Sequence, residues 1–149
     1  MLCPMALSPQ KFREIVFLAL YSRDFTGAQE DEVVEMIMKE LTVTKKSVRE
    51  ALEKVSSIEA KRSEIDEMIS SSTLSYDFDR IPHSERNILR LGVYELFFAK
   101  GIPPKVAIAE GIRLARKFST PESAHFVNAI LDNLYKSKSE ASTILVNAL

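Results

Sequence analysis

Residues 81–98 read IPHSERNILRLGVYELFF, and this stretch decides the fold. Over residues 88–98 only Arg90 and Glu95 carry a charge. A helix that is apolar on nearly all sides is normally buried among other helices. Gly92 is a weak helix former, so inside such a helix it indicates the close approach of a neighbour. The stretch is therefore predicted to be the central helix of a helical bundle.

The segments on both sides of this stretch carry the same helical pattern. Ser8 followed by Pro9 reads as an N-cap and a first-turn proline, and Thr120 followed by Pro121 repeats that signal. Between them apolar residues recur three and four positions apart, and no alternating run with hairpin turns is present. We predict an all-α fold of about seven helices, in a single domain that spans residues 1–149.

Composition gives the class of protein. The chain has 149 residues, of which 46% are hydrophobic and 28% charged, the usual balance of one soluble globular domain. Its single cysteine, Cys3, allows no intrachain disulfide and no zinc cluster. The N-terminus lacks the pattern of a signal peptide, and no apolar run approaches the roughly 18 residues of a membrane span. We expect a cytoplasmic protein with no membrane contact, metal or cofactor.

Charge is unevenly distributed along the chain. Residues 24–79 carry fourteen acidic and seven basic side chains, whereas residues 80–118 carry eight basic and three acidic ones. The first 23 residues are also basic, and the whole chain has a net charge of −1. Such asymmetry either indicates an anionic partner on one side or reflects ordinary dispersal of surface charge. Composition does not decide between the two.

The sequence contains no recognisable enzyme motif. It has no Gly-rich phosphate loop, no HExxH and no Gly-x-Ser-x-Gly. His83 and His125 lie far apart in the sequence, and the acidic residues of EDEVVE stand at a helix start, where the helix dipole favours them. We therefore expect no enzyme and no catalytic residue.

Basic and aromatic side chains are the candidates for contact with a nucleic acid. Cations neutralise phosphates, and aromatic rings provide a face on which bases stack. The alternative for each cation is a solvated helix face, and for Tyr21 and Phe126 it is core packing at helical spacing; both alternatives stay open at this level. Tyr135 is a further aromatic candidate. The candidate cations are Lys11, Arg13, Arg86, Arg90, Lys105, Arg113, Arg116 and Lys117.

The second half of the chain resembles a known family. Residues 85–134 read ERNILRLGVYELFFAKGIPPKVAIAEGIRLARKFSTPESAHFVNAILDNL. They contain the ordered blocks ILR-x-x-x-YEL, IP-x-KVAI-x-E, LA-[KR]-x-[FY] and F-V-N-x-[IV]-L-D of the NusB family of bacterial transcription antitermination factors. REIVFLALYS at residues 13–22 resembles the first helix of that family. The stretch between these two matches has no counterpart among the motifs.

The resemblance implies a fold and a function. The fold would be two perpendicular three-helix-type sub-bundles, at residues 8–75 and 82–137, followed by an apolar tail at 139–149. The tail is expected to pack on the body or on a second subunit, so a homodimer is one alternative. The function would be to bind the single-stranded boxA element in leader RNA of ribosomal RNA operons. It would do so with NusE, a small-subunit ribosomal protein, in the antitermination complex of RNA polymerase.

The resemblance also assigns site residues. The basic first helix would contact RNA through Lys11 and Arg13. Glu85 and Tyr21 stand at positions of the NusE contact. Glu122 and Phe126 match the acidic and aromatic positions of the last helix near the RNA. The full RNA-binding prediction is Lys11, Arg13, Arg86, Lys105, Arg116, Lys117, Glu122 and Phe126.

Departures from the family pattern leave alternatives. The segment before Arg13, LSPQKF, offers only Lys11 where many family members have an arginine cluster. A module that binds NusE with little or no RNA affinity is therefore the second hypothesis. An auxiliary domain of an RNA methyltransferase is the third, although the chain shows no cofactor-binding region. The sequence leaves two alternatives for Arg90: it pairs with a carboxylate such as Glu110, or it lies on an exposed edge of the helix.

Overall fold

The computed structural model describes residues 7–25, 27–73 and 77–148. Over these residues the chain forms seven α-helices and one 3₁₀ turn, with no strand, which confirms the all-α prediction. The helices are α1 (Pro9–Phe25), α2 (Glu30–Leu41), α3 (Lys45–Ala60), α4 (Arg62–Ser72), α5 (His83–Phe97), α6 (Pro104–Phe118) and α7 (Pro121–Ala148), and the 3₁₀ turn is Phe78–Arg80.

Side-chain caps fix three helix starts. The Ser8 hydroxyl accepts the backbone N–H of Lys11 at 3.1 Å, and the Thr120 hydroxyl accepts that of Ser123 at the same distance. Thr44 caps α3 in the same way. Each oxygen satisfies an N–H group that has no partner within the first turn of its helix. The caps predicted at Ser8 and Thr120 are confirmed.

The helices form two compact units that divide between Ala60 and Lys61. In the first unit α1 packs on α2 and α3, with apolar residues such as Ile15, Ile37 and Val55 fully buried. In the second unit α5 packs on α4, α6 and α7. The central position predicted for the helix of residues 81–98 is confirmed within this unit.

The boundary between the units lies earlier than the sequence indicated. The first sub-bundle was expected to extend to about residue 75, but α4 packs on α5 and α7 and belongs to the second unit. Its buried Ile65 and Ile69 point the apolar face of α4 in that direction. The second unit therefore has four helices rather than three.

Two glycines allow α7 to approach α5 and α6 closely. A Cβ atom at Gly92 would lie 2.9 Å from a terminal methyl group of Leu131, and one at Gly111 would lie 2.8 Å from the same group. Leu131 is fully buried, so its side chain fills the space that both glycines leave open. The close approach predicted at Gly92 is confirmed.

Arg90 is buried and fully paired, with 2% of its surface exposed. Its Nε and Nη2 donate to the two carboxylate oxygens of Asp66 at 2.8 and 3.1 Å, and its Nη1 donates to Asn87 Oδ1 at 3.0 Å. The bidentate pair joins α5 to α4. Glu110, suggested by the sequence as a partner, accepts a hydrogen bond from Arg113 instead.

Helix α7 runs without a break through the predicted tail. Lys138 still contacts the body, since its ammonium lies 4.8 Å from the centre of the Phe97 ring. Beyond it Ala141, Leu145 and Asn147 are exposed, so these three side chains are not packed on the body. Contact with a second subunit stays a prediction. Among the helices described, none is long and apolar enough to cross a membrane.

Candidate nucleic-acid interface

The second unit carries a cleft of about 330 Å³. One wall is formed by Arg80, Ile81 and Pro82, which end the 3₁₀ turn and lead into α5. Glu85 comes from the first turn of α5. The opposite wall is the start of α7, with Thr120, Glu122, Ser123 and Phe126. One wall is a hydrogen-bonded turn that leads into α5, and the other is the capped start of α7, so the cleft is preformed.

Hydroxyl groups join the start of α7 to the start of α5. Ser123 is 4% exposed, and its hydroxyl donates a short hydrogen bond to Glu85 Oε1. The same oxygen of Ser123 lies 2.8 Å from the hydroxyl of Ser119 and 3.0 Å from that of Thr120. A buried hydroxyl needs such partners to offset its desolvation. The network fixes where the Glu85 carboxylate stands.

Three of the predicted site residues meet in this cleft. Glu122 is exposed, while Glu85 and Phe126 are half-buried, and all three line the same cavity. The family resemblance assigned Glu85 to the NusE contact and the other two to RNA. Their common location brings residues predicted for two different partners into one cavity.

Arg80 also lines the cleft, and the sequence prediction did not include it. It is exposed at the end of the 3₁₀ turn. The sequence did contain an indication of Arg80 as a candidate, because Arg80 is the first residue of the basic stretch of residues 80–118. It was missed because it lies in a turn, outside both the helical faces and the family motifs.

Arg86 is largely committed to contacts within the protein. Its Nη2 donates to the backbone carbonyl oxygens of Asp79 at 3.1 Å and Ile81 at 3.0 Å. Its guanidinium lies 4.8 Å from the centre of the Phe78 ring, a cation–π distance, and its Nε is buried. RNA contact by Arg86 stays a prediction.

The predicted cations of α6 lie outside the cleft. Lys105 stands in its first turn and Arg116 in its last, so roughly 16 Å of helix separates them. Lys117 places its ammonium 5.7 Å from the centre of the Phe118 ring. All three residues are exposed. They are thus available to a long anionic strand, but no single phosphate can reach both ends of the helix.

In the first unit the candidate residues lie on α1. Lys11 Nζ lies 3.4 Å from Oε1 of the buried Glu14, and Arg13 is half-buried. The Tyr21 ring belongs to an aromatic ladder, with its centre 5.8 Å from that of Phe17 and 4.7 Å from that of Phe25. Such spacing follows from side chains four residues apart on one helix face. The ladder supports the packing alternative for Tyr21 and leaves its half-exposed edge for a partner.

The first unit also contains an acidic cavity of about 380 Å³ between α2 and α3. Glu30, Asp31 and Glu53 line it together with Arg49, which is exposed. Across the described part of the chain, no three histidine, cysteine or acidic side chains are grouped closely enough to hold a metal ion.

Comparison with known proteins identifies the family. The model of the NusB family matches residues 10–136. The chain is 37% identical to the transcription antitermination protein NusB of Chlamydia pneumoniae over 87% of its own length and 81% of that protein. It is also 37% identical to the NusB protein of Thermobifida fusca over 83% of the chain and 85% of that protein.

Solved structures agree. NusB of T. maritima superposes with a TM-score of 0.74 at 34% identity and covers 89% of this chain and 93% of its own. A crystal structure of the antitermination factors NusB and NusE in complex with double-stranded RNA gives a TM-score of 0.72 at 30% identity, with coverage of 86% and 96%. The ordered sequence motifs, the seven-helix fold and these matches together establish that the chain belongs to the NusB family.

Proposed function

We propose that the protein is a transcription antitermination factor that binds boxA-type single-stranded RNA together with NusE. It acts by binding, as an adaptor in the antitermination complex of RNA polymerase, and not as an enzyme. Two comparisons support this proposal. The relatives are named transcription antitermination proteins, and a similar NusB chain was solved with NusE and RNA. This function places the protein in the cytoplasm, where bacterial RNA polymerase works.

The cleft of the second unit is the observation that carries the proposal. It combines an aromatic side chain, Phe126, with a cation, Arg80, and with carboxylates and hydroxyls that can accept or donate hydrogen bonds. Such a combination is suited to unpaired RNA, because a splayed base stacks on an aromatic ring and forms hydrogen bonds through its edges. The exposed cations of α6 add long-range attraction for the phosphates.

A titration of boxA RNA with and without NusE tests the proposal. Gel shift or fluorescence anisotropy at two salt concentrations should show binding that weakens as salt rises, because phosphate contacts release counterions. Lys11→Ala and Arg13→Ala should each weaken binding severalfold. Lys46→Ala, which removes an exposed lysine of α3, is the matched control and should bind like the wild type. Absence of RNA binding under every condition, NusE included, would refute the proposal.

A second candidate function is a NusE-binding module with little RNA affinity. Lys11, the one cation in the segment before Arg13, is close to the buried Glu14 carboxylate, which lowers its availability to phosphates. The same titration separates the two functions. NusE binding that is unaffected by boxA RNA would favour the second candidate, whereas mutual strengthening of the two affinities supports the first.

A further inference from the structure

The cleft is poor in positive charge for a site that would hold RNA. Among the described residues that line it, Arg80 is the single cation, while Glu85 and Glu122 are both acidic. A phosphate that enters the cleft meets these carboxylates, and each repulsion amounts to about 1 kcal/mol at 4 Å even in bulk water. A guanidinium offsets that repulsion and matches two phosphate oxygens with a pair of N–H groups.

The backbone on both sides of Arg80 is held in place. The Arg80 N–H donates to the Asp77 carbonyl at 2.9 Å, and the Ile81 N–H donates to the Phe78 carbonyl at 3.1 Å. Arg86 then donates to the carbonyls of Asp79 and Ile81, the residues directly before and after Arg80. The Arg86 guanidinium thus holds the turn that carries Arg80.

The turn is further tied to the core of the second unit. The Phe78 ring lies 4.8 Å from the Arg86 guanidinium and 5.7 Å from that of Arg90. Arg90 is in turn locked to Asp66 by two hydrogen bonds. The position of Arg80 at the mouth of the cleft therefore depends on a chain of contacts that begins in α4.

We propose that Arg80 is the phosphate-binding residue of the cleft and that Arg86 is a positioning residue that holds the Arg80 turn. This inference rests on the proposed RNA binding. The ligand is one unpaired nucleotide of a single strand, with its base against Phe126 and its phosphate on Arg80. The volume of about 330 Å³ lies at the low end of the roughly 300–1,000 Å³ of ligand pockets, which suits one nucleotide and not a duplex.

Arg80→Ala tests the first half of this proposal. With boxA RNA and NusE, we expect about a tenfold loss of affinity, the size of one charge-assisted contact. The slope of log K against log salt should fall by about 0.7, the value for one phosphate contact on a single strand. Arg49→Ala removes the same charge from the exposed face of α3 and should change neither quantity. Arg80 is exposed, so its variant should unfold at the wild-type temperature.

Arg86→Lys tests the second half, because lysine keeps the charge but cannot hold both carbonyls in the same geometry. We expect the salt slope to fall as it does in Arg80→Ala, and the double variant to bind no more weakly than Arg80→Ala alone. A direct phosphate contact by Arg86 would instead keep the slope in Arg86→Lys and add to the loss in the double variant. Should Arg86→Lys fail to fold, Phe78→Leu loosens the same turn and is read in the same way.

The outcomes separate this inference from the proposed function. If the wild type binds boxA RNA and Arg80→Ala binds as tightly as Arg49→Ala, the role of Arg80 is refuted while the function stands. If additive losses are found for Arg80 and Arg86, the positioning role of Arg86 is refuted. If the wild type does not bind RNA with or without NusE, both the function and this inference fail.

Discussion

Replacement of Arg90 by methionine should destabilise the second unit strongly. The substitution keeps an unbranched apolar chain inside α5 but removes the guanidinium. Both carboxylate oxygens of Asp66 and the Oδ1 atom of Asn87 then lose their bonds to it. Asn87 is 1% exposed, so water cannot readily replace the lost donor at that oxygen.

The size of the effect follows from the exposure of the partners. Breaking a buried ion pair by removing one partner costs about 3–5 kcal/mol. Here the Asp66 side chain is 24% exposed and Arg62 Nε remains 3.8 Å from its carboxylate, which places the cost near the low end, at about 3 kcal/mol. For a chain of this length each kcal/mol lowers the melting temperature by about 2–4 °C. Arg90→Met should therefore melt roughly 6–12 °C below the wild type.

Urea unfolding followed by far-UV circular dichroism measures the loss. Arg90→Lys keeps the charge without the paired geometry and should fall between the wild type and Arg90→Met. The double variant Arg90→Met with Asp66→Leu removes both charges and should recover part of the stability, since no unpaired carboxylate remains. A free energy of unfolding for Arg90→Met within 0.5 kcal/mol of wild type, on the order of ordinary surface changes, would refute the reasoning.

Two further substitutions probe the packing and capping of α7. Gly111→Ala should lower the free energy of unfolding by about 1–2 kcal/mol. The clash of the added methyl group with the buried Leu131 outweighs the gain of about 1 kcal/mol in helix propensity. Gly27→Ala is the control and should not destabilise the protein, because nothing lies within 4 Å of a Cβ atom at that position. Thr120→Ala should lower the free energy of unfolding by about 1 kcal/mol, because it removes the cap on the Ser123 N–H. Thr120→Ser keeps a hydroxyl and should retain the wild-type stability. Equal melting temperatures for the wild type and both variants would contradict the capping argument.

Local signals in the sequence predicted the helices well. The pairs Ser8-Pro9 and Thr120-Pro121 each combine a hydroxyl that accepts an N–H with a proline that needs no hydrogen bond in the first turn. Both signals act over four residues, so they do not depend on the rest of the fold. The end of α7 lacked such a signal, and the helix runs to Ala148 where a separate tail was expected.

Tertiary assignments were harder to predict. Helix α4 carries its apolar stripe whichever neighbour it packs on, so its membership of the second unit could not be read from periodicity. The partner of Arg90 is a similar case. Asp66 lies 24 residues earlier in the sequence, in the region without family motifs, and nothing in the pattern favoured it over the other carboxylates.

In the candidate site, too, the sequence identified the type of residue but not its role. Arg80 and Arg86 carry the same charge six residues apart, and the sequence favoured Arg86 because it stands on a helix beside the motifs. The structure gives its guanidinium two backbone carbonyls and an aromatic ring, contacts that depend on how the preceding turn folds. Sequence patterns find cations, whereas the direction of a long flexible side chain is decided by tertiary packing.

The charge of the cleft itself bears on how the protein would use NusE. The stretch of residues 80–118 has five more basic than acidic side chains, yet Arg80, Glu85 and Glu122 give the cleft one more negative than positive charge. Contacts in the cleft can then select an unpaired base but add little net attraction for the strand. Attraction must come from cations elsewhere on this chain or from its partner. If the partner supplies it, addition of NusE should raise RNA affinity by more than the roughly tenfold that Arg80→Ala removes, which the titration with and without NusE measures.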